Sequence, residues 1–251
     1  MRFFLPIFIV IGQVSFGSEA GLEPIKKTWP FEGITGKFDK AAIQRGFKVY
    51  KEVCSACHSI KQLSFRNLLS VGFSEEEIKS LAGGYEVEDG PNDEGLFFKR
   101  PGRPSDKIPG PYANEKAARA SNNGALPPDL SLIIKARKNG ANYVYSLLTG
   151  FTKPPPGFKL GENMYYNPYF SGGQIAMSPP LVAKGQVTFD DGTEATIEQM
   201  ASDLVNFLQW GAEPEMEDRK SLGIRVIIFT GILLILLYFA NKIVWSDVKR
   251  K

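Results

Sequence analysis

A chain of 251 residues, 43% hydrophobic and 23% charged, has the composition of an ordinary globular protein. Its net charge of +3 is too small to argue for a nucleic-acid partner. No internal repeat is visible, and the roughly 200 residues between the two ends suffice for one core carrying large insertions.

Residues 1–20, "MRFFLPIFIVIGQVSFGSEA", place Arg2 before a nine-residue apolar run, Phe3 to Ile11, followed by small residues. That is the layout of a secretory signal peptide cleaved near Gly17 or Ala20. As an uncleaved anchor the run would reach only about 14 Å, half a hydrocarbon core. The expected segments are therefore a signal peptide over 1–20, an exported domain over 21–222, an anchor over 223–245 and a basic tail over 246–251.

The first helix is expected over 39–54, with Asp39 as its cap and Ile43, Phe47, Tyr50 and Cys54 at helical spacing. It runs into "VCSACHS", residues 53–59, which holds both cysteines and the one histidine of the chain. Three chemistries use such a motif: a zinc site, a thiol-disulfide pair, and covalent haem attachment. A structural zinc wants about four Cys or His ligands, and only three exist. A redox CxxC of the thioredoxin kind follows a strand, whereas this one follows a helical pattern. Haem accounts for every part. Two thiols three positions apart form thioethers with the two vinyl groups, and the adjacent imidazole of His58 becomes an axial ligand. Random placement of two cysteines and one histidine yields CxxCH only about 3 times in 100,000.

Beyond the motif, Glu75 to Glu94 carries eight acids (Glu75, Glu76, Glu77, Glu86, Glu88, Asp89, Asp93, Glu94) against one base, Lys79. Such a run is usually a solvated face, but beside a redox centre it steers a basic partner. Further helices are expected over 114–121, 129–138, 141–149 and 196–210. A hairpin is expected about Asp191-Gly192 in "VTFDDGTEAT". In the last helix, Thr196 and Gln199 suggest a capping box. Prolines cluster between Pro101 and Pro111 and again at Pro154 to Pro156, and long loops of this kind suit a fold that packs on a large apolar cofactor. Near the end, Val226 to Ala240 is uncharged for fifteen residues. Continued to Trp245, it reaches about 30 Å, enough for one transmembrane helix. Export of the N-terminus then leaves the tail in the cytoplasm.

With His58 used and no second histidine in the chain, the iron must take a methionine or leave its distal side open. Met200 falls on the apolar face of the last soluble helix and reads as core. Met216, in "EPEMED", reads as exposed. Met164 and Met177 share a loop-rich region, and "GGQIAMSPPL" favours Met177, because glycines allow close approach and Pro179-Pro180 stiffens the chain. Histidine–methionine ligation raises the reduction potential and leaves no open position for a substrate, so the implied task is electron transfer.

The long motifs "GFKVYKEVCSACHS", "AARASNNGALPPDLS", "YVYSLLTGF", "YYNPYFSGGQIAMSPPL" and "FDDGTEAT" make the chain resemble the cytochrome c1 family, the haem subunits of quinol:cytochrome c reductase (the cytochrome bc1 complex). The likeness covers nearly the whole mature chain. It implies a mainly α fold, a class I c-type cytochrome core with long loop insertions and one C-terminal transmembrane helix. It implies one haem c on Cys54 and Cys57, ligated by His58 and Met177, with Arg137 and Tyr143 near a haem propionate and Asn122 and Pro128 lining the crevice. By the same resemblance the partners are cytochrome b, the Rieske iron-sulfur protein, a soluble or tethered cytochrome c, and the lipid bilayer. Docking of cytochrome c is expected among Glu75, Glu76, Glu77, Glu86, Glu88 and Asp89. The extra disulfide of some bacterial relatives is missing, and the short leader points to a bacterial cytoplasmic membrane with the haem domain in the periplasm. Two other functions fit parts of the sequence: a free-standing anchored cytochrome, and a periplasmic thiol oxidoreductase with titratable thiols and no haem.

Overall fold

The structure, a computed structural model, describes residues 21–246. The expected signal peptide and the basic tail after Ser246 lie outside the described residues. In chain order the elements are α1 (Lys40–Glu52), α2 (Glu75–Gly83), strands β1 (Glu86–Asp89) and β2 (Phe98–Pro101), α3 (Glu115–Ser121), α4 (Gly140–Thr149), the two-residue strands β3 (Tyr165–Tyr166) and β4 (Gln174–Ile175), α5 (Ile197–Ala212) and α6 (Met216–Ser246). The fold is mainly helical with little sheet: β1 pairs antiparallel with β2, and β3 with β4.

Two helices make the centre. Asp39 caps α1 by accepting the Ala42 N–H at 3.1 Å, and Ile43, Gly46, Phe47, Val49 and Tyr50 are all buried. Facing them, α5 buries Met200, Leu204, Phe207, Leu208 and Trp210. Gly46 allows the two backbones to touch, since a Cβ there would lie 2.0 Å from the Asp203 carbonyl oxygen. Around this crossing Phe207 meets Phe47, Tyr50 and Trp210 with ring centroids 5.5, 5.7 and 5.9 Å away. Each large side chain so buried contributes about 1.5–3 kcal/mol. One charged group enters this core: the Arg45 guanidinium forks onto Asp203 at 2.8 and 3.1 Å and reaches Asp191 at 2.7 Å.

The N-terminal segment straps α4 and α5 together. Trp29 donates to Asn142 Oδ1 at 2.8 Å, the Ile25 N–H to Ser146 Oγ at 2.8 Å, and Lys27 to Ser202 Oγ at 3.0 Å. Helix α6 follows α5 after three residues. With a mean hydropathy of 2.4 and none of its apolar stretch buried, it is the one helix among the described residues long and apolar enough to cross a membrane. It begins ten residues before Val226, so the anchor and its approach to the domain form one rod about 46 Å long.

Several expectations are corrected. Residues 129–138 form successive turns and no regular helix. Backbone bonds there mostly span three residues, Ile133 N–H to Leu130 at 3.3 Å, Lys135 to Leu132 at 3.0 Å and Gly140 to Arg137 at 3.0 Å, so the chain makes tight turns that never settle into a four-residue ladder. "VTFDDGTEAT" forms a tight turn without strands: Gly192 N–H meets the Phe189 carbonyl at 3.4 Å, and Asp191 is held by Thr193 and Arg45. The capping box on α5 is half made, because Thr196 accepts the Gln199 N–H while the Gln199 side chain turns to Asp203. Met216 is buried at 3% exposure, because the first turn of α6 still packs on the domain, where even its neighbour Glu217 accepts the Phe38 N–H.

Candidate haem site

Helix α1 delivers the motif and then tightens. Cys54–Ala56 forms a 3-10 turn in which the Cys57 and His58 N–H groups both donate to the Cys54 carbonyl, at 3.1 and 2.9 Å. That single turn buries Cys54 in the core, leaves Cys57 exposed, and joins neither in a disulfide. Burial, with Cys57 nearby, pushes the Cys54 thiol up to about 12. An attacking thiol of a redox pair needs the opposite shift, so the site does not suit thiol-disulfide exchange.

His58 is held by its back nitrogen. Its Nδ1 lies 2.8 Å from the Pro128 carbonyl oxygen, which can only accept, so Nδ1 carries the proton and Nε2 presents a lone pair. Burial lowers the imidazole pKa, outweighing the pull of Pro128 and Asp129. The neutral form is the one that ligates a metal. Tyr50 Oη fixes the His58 carbonyl at 3.1 Å.

Asp129 organises the strand of chain opposite. Its carboxylate accepts from Ser59 Oγ at 2.8 Å, the Lys61 N–H at 2.9 Å and the Ser131 N–H at 2.9 Å, while the Leu130 N–H reaches the Ser59 carbonyl at 2.8 Å. Burial works to raise the Asp129 pKa, but these donors leave it below the usual carboxylate value. Sequence reasoning did not single out Asp129. Its signal was present: an Asp with Ser two residues on, after a proline pair, is the pattern of a side-chain-closed turn.

Among the described residues no group of three or more His, Cys, Asp or Glu is placed to hold a metal ion by itself. An iron carried in a macrocycle needs fewer protein ligands. The donor set fits one: two free thiols on one turn, an oriented neutral imidazole, and half-buried side chains further along the chain, Leu126, Ile133, Phe170 and Met177 in loops, Tyr143 on α4 and Ile175 on β4.

Other expected positions fall as follows. Met177 is half-buried just after β4, in a segment hooked to α4 by buried Asn167, whose Nδ2 donates to the Leu147 carbonyl at 2.8 Å. No hydrogen bond among the described residues ties that segment directly to His58. Met164 is 37% exposed and Met200 fully buried. Arg137 is exposed and hydrogen-bonds the Tyr143 hydroxyl, so those two are together. Asn122 closes α3, donating to the Ala118 carbonyl at 2.7 Å and to Tyr112 Oη at 3.0 Å. The acids divide between two elements. Glu75, Glu76 and Glu77 form the first turn of α2, where Glu77 completes a capping box with Ser74. Glu86, Glu88 and Asp89 lie on β1, where Glu86 pairs with Lys99 at 3.2 Å and Asp89 with Arg100. The linear run is thus partly neutralised by the strand that folds back on it.

Compared with known proteins, residues 29–248 match the model of the cytochrome C1 family. Cytochrome c1 of Rhodospirillum rubrum is 46% identical over 257 aligned residues, covering 96% of this chain and 94% of that one. The protein named cytochrome b-c1 complex catalytic subunit, mitochondrial, of Candida albicans is 48% identical, covering 93% of this chain and 81% of that one. A longer protein named cytochrome b/c1, from Bradyrhizobium diazoefficiens, is 45% identical over 96% of this chain and 38% of its own length.

Proposed function

The chain belongs to the cytochrome c1 family, and from that premise we propose how its residues carry out the family's task. It is the haem subunit of a bc1 complex and transfers electrons to cytochrome c. It acts there as an electron-transfer subunit of a larger oxidoreductase.

A c-type haem held here would supply one-electron chemistry at its iron. Cys54 and Cys57 would hold it through thioethers, and His58 and Met177 would be the side chains that ligate the iron. The observation that carries this reading is the His58 ring, with Nδ1 committed to Pro128 at 2.8 Å and Nε2 left for iron. A carbonyl at Nδ1 fixes the tautomer and the ring plane, which is how protein surroundings orient a ligating imidazole. Asp129 holds the segment bearing that carbonyl against Ser59 and Lys61, so the ligand's support does not depend on loop order alone. Arg137 and Tyr143, a guanidinium close enough to a hydroxyl to offset part of the rise in pKa that burial causes, would meet a propionate. Asn122 and Pro128 flank the segment that lines the crevice.

Electrons reach the chain from the Rieske iron-sulfur protein, with cytochrome b beside α6 in the membrane. The relative named cytochrome b/c1 supports that neighbour. Cytochrome c docks on the acidic face formed by Glu75, Glu76, Glu77, Glu86, Glu88 and Asp89, where an attractive field raises the association rate about 10- to 1000-fold at low salt. Helix α6 anchors the chain once in a bacterial cytoplasmic membrane. The domain over 21–222 lies in the periplasm after removal of 1–20, the anchor covers 223–245, and the tail 246–251 is cytoplasmic.

A denaturing gel stained for covalently held haem, together with a redox titration of Met177→Leu, tests the assignment. We expect a stained band for the parent chain and a lowered potential for the variant. An unstained band sinks the attachment, and an unchanged potential sinks Met177 as ligand. The acidic face is tested by reversing Glu75, Glu76 and Glu77 to lysine: reduction of cytochrome c should slow most at low ionic strength.

A further inference from the structure

The root of α6 is bolted to the N-terminal strap. Lys220 Nζ donates to the Phe31 carbonyl at 2.7 Å and the Gly36 carbonyl at 3.2 Å, and Glu217 accepts the Phe38 N–H at 2.6 Å. These bonds hold the turn Phe31–Gly36 against the helix and leave Ile34 at its tip, 77% exposed. Beside the turn lies a cleft of about 400 Å³ whose lining includes Lys135, Arg219, Lys220 and Glu213. Lys135 and Arg219 share one carboxylate oxygen, Glu213 Oε1, at 2.7 and 2.9 Å, and Lys220 has only carbonyl partners. Lys135, Arg219 and Lys220 stand against two carboxylates in the lining, Glu213 and Glu32, so the cleft keeps an excess of one positive charge. Burial would raise the Glu213 pKa, yet Lys135 and Arg219 keep it below its ordinary value, so this carboxylate stays ionised.

The height of the cleft above the membrane follows from helix geometry. Lys220 precedes Val226, where the uncharged span starts, by six residues on one continuous helix, about 9 Å along the axis. Headgroups occupy a layer of roughly 5–8 Å outside the hydrocarbon, and lysine and arginine side chains are long enough to reach down into it. We propose that this cleft binds the phosphate of an anionic phospholipid headgroup through Lys135, Arg219 and Lys220, while Ile34 enters the interface beside it, giving the haem domain a second membrane contact. The proposal rests on α6 spanning the bilayer.

The test uses the complete complex in lipid nanodiscs, with a spin label on Ile34→Cys. Labels on Val182→Cys in the haem domain and Leu234→Cys in the span serve as references; their parent side chains are 67% and 69% exposed. Accessibility is read with oxygen, which partitions into lipid, and with a water-soluble nickel chelate. We expect Ile34 to lie between the two references and to shift toward lipid as phosphatidylglycerol replaces phosphatidylcholine. Replacing Arg219 with Gln should raise the phosphatidylglycerol fraction needed about fivefold, the factor for one cation near an anionic surface. An Ile34 label open to nickel in every disc overturns the proposal, and so does one shielded from both reagents, which would mean that protein covers this face. Inorganic phosphate reproducing the shift in phosphatidylcholine discs would make it a free-anion site and overturn the lipid assignment. A Leu234 label open to nickel would sink the spanning reading itself, whereas a lipid-exposed Leu234 with an aqueous Ile34 sinks only the cleft.

Discussion

The helix pair α1/α5 and the chain from residue 122 to 196 both serve the haem site, by different means. On the helix side, large side chains are fully buried, backbones touch at Gly46, and a bidentate ion pair closes the crossing. On the loop side buried apolar residues such as Leu181, Val187 and Phe189 alternate with half-buried and exposed ones, and single hooks add order: Asp129 onto Ser59 and Lys61, Asn167 onto α4, and Tyr169 stacked where a Cβ on Gly150 would lie 2.4 Å from its ring. The helix pair is a finished platform that presents Cys54, Cys57 and His58. On the function proposed above, the loops would close on the apolar surface of a haem, which would reconcile a long irregular stretch with a unique fold.

Removing the tether should break the loop side most severely. In Cys54→Ser/Cys57→Ser we expect complete loss of covalently bound haem on a stained gel, with α1 and α5 still helical by circular dichroism. Next comes the distal ligand: Met177→Leu should lower the potential, and each fall of about 59 mV costs a factor of ten in equilibrium electron delivery. Met164→Leu, at an exposed site, should leave the redox titration unchanged. The platform has its own weak point in Gly46→Ala, which forces α1 and α5 apart and should cost about 3 kcal/mol by overpacking; the check is thermal unfolding of the holo chain. Asp129→Asn should cost about 1–3 kcal/mol and broaden the haem's ligation spectrum, since it loosens the carbonyl that aims His58.

The smallest effect expected is on the β1–β2 hairpin, which lies on neither side of the comparison. Hydrogen bonds from Arg100 hold the Asp106 pKa at about 2, below its ordinary 3.8. The stabilisation is therefore complete above about pH 4 and fades as the pH falls from there toward 2. Proteolysis within residues 90–97 at pH 2 against pH 5 would show it, while Arg100→Gln should abolish the difference.

What could be read beforehand divides along the same line. Helices α1, α3 and α5 follow from capping residues and apolar spacing, α4 from apolar spacing between its flanking glycines, and α6 from an uncharged run long enough to span a bilayer. The CxxCH motif was legible because its chemistry needs adjacent residues. The turns over 129–138 were not, since Asp129 there serves tertiary partners seventy positions away in sequence. Nor was the β1–β2 pair, whose strands carry charges in place of an alternating apolar face. Met216 misled because its neighbours are acidic, and only the packing of the α6 root shows that its side chain turns inward. The role of Met177 remains a proposal argued from loop chemistry and family membership, its segment being half-buried and tied to α4.

Amide hydrogen exchange on the haem-free double cysteine variant, set against the holo chain, tests the division most directly. Protection should survive along 40–52 and 197–212 and collapse between 122 and 180. Equal loss in both regions, or protection retained throughout the loops, would contradict the view that these segments close upon a haem held at Cys54, Cys57 and His58.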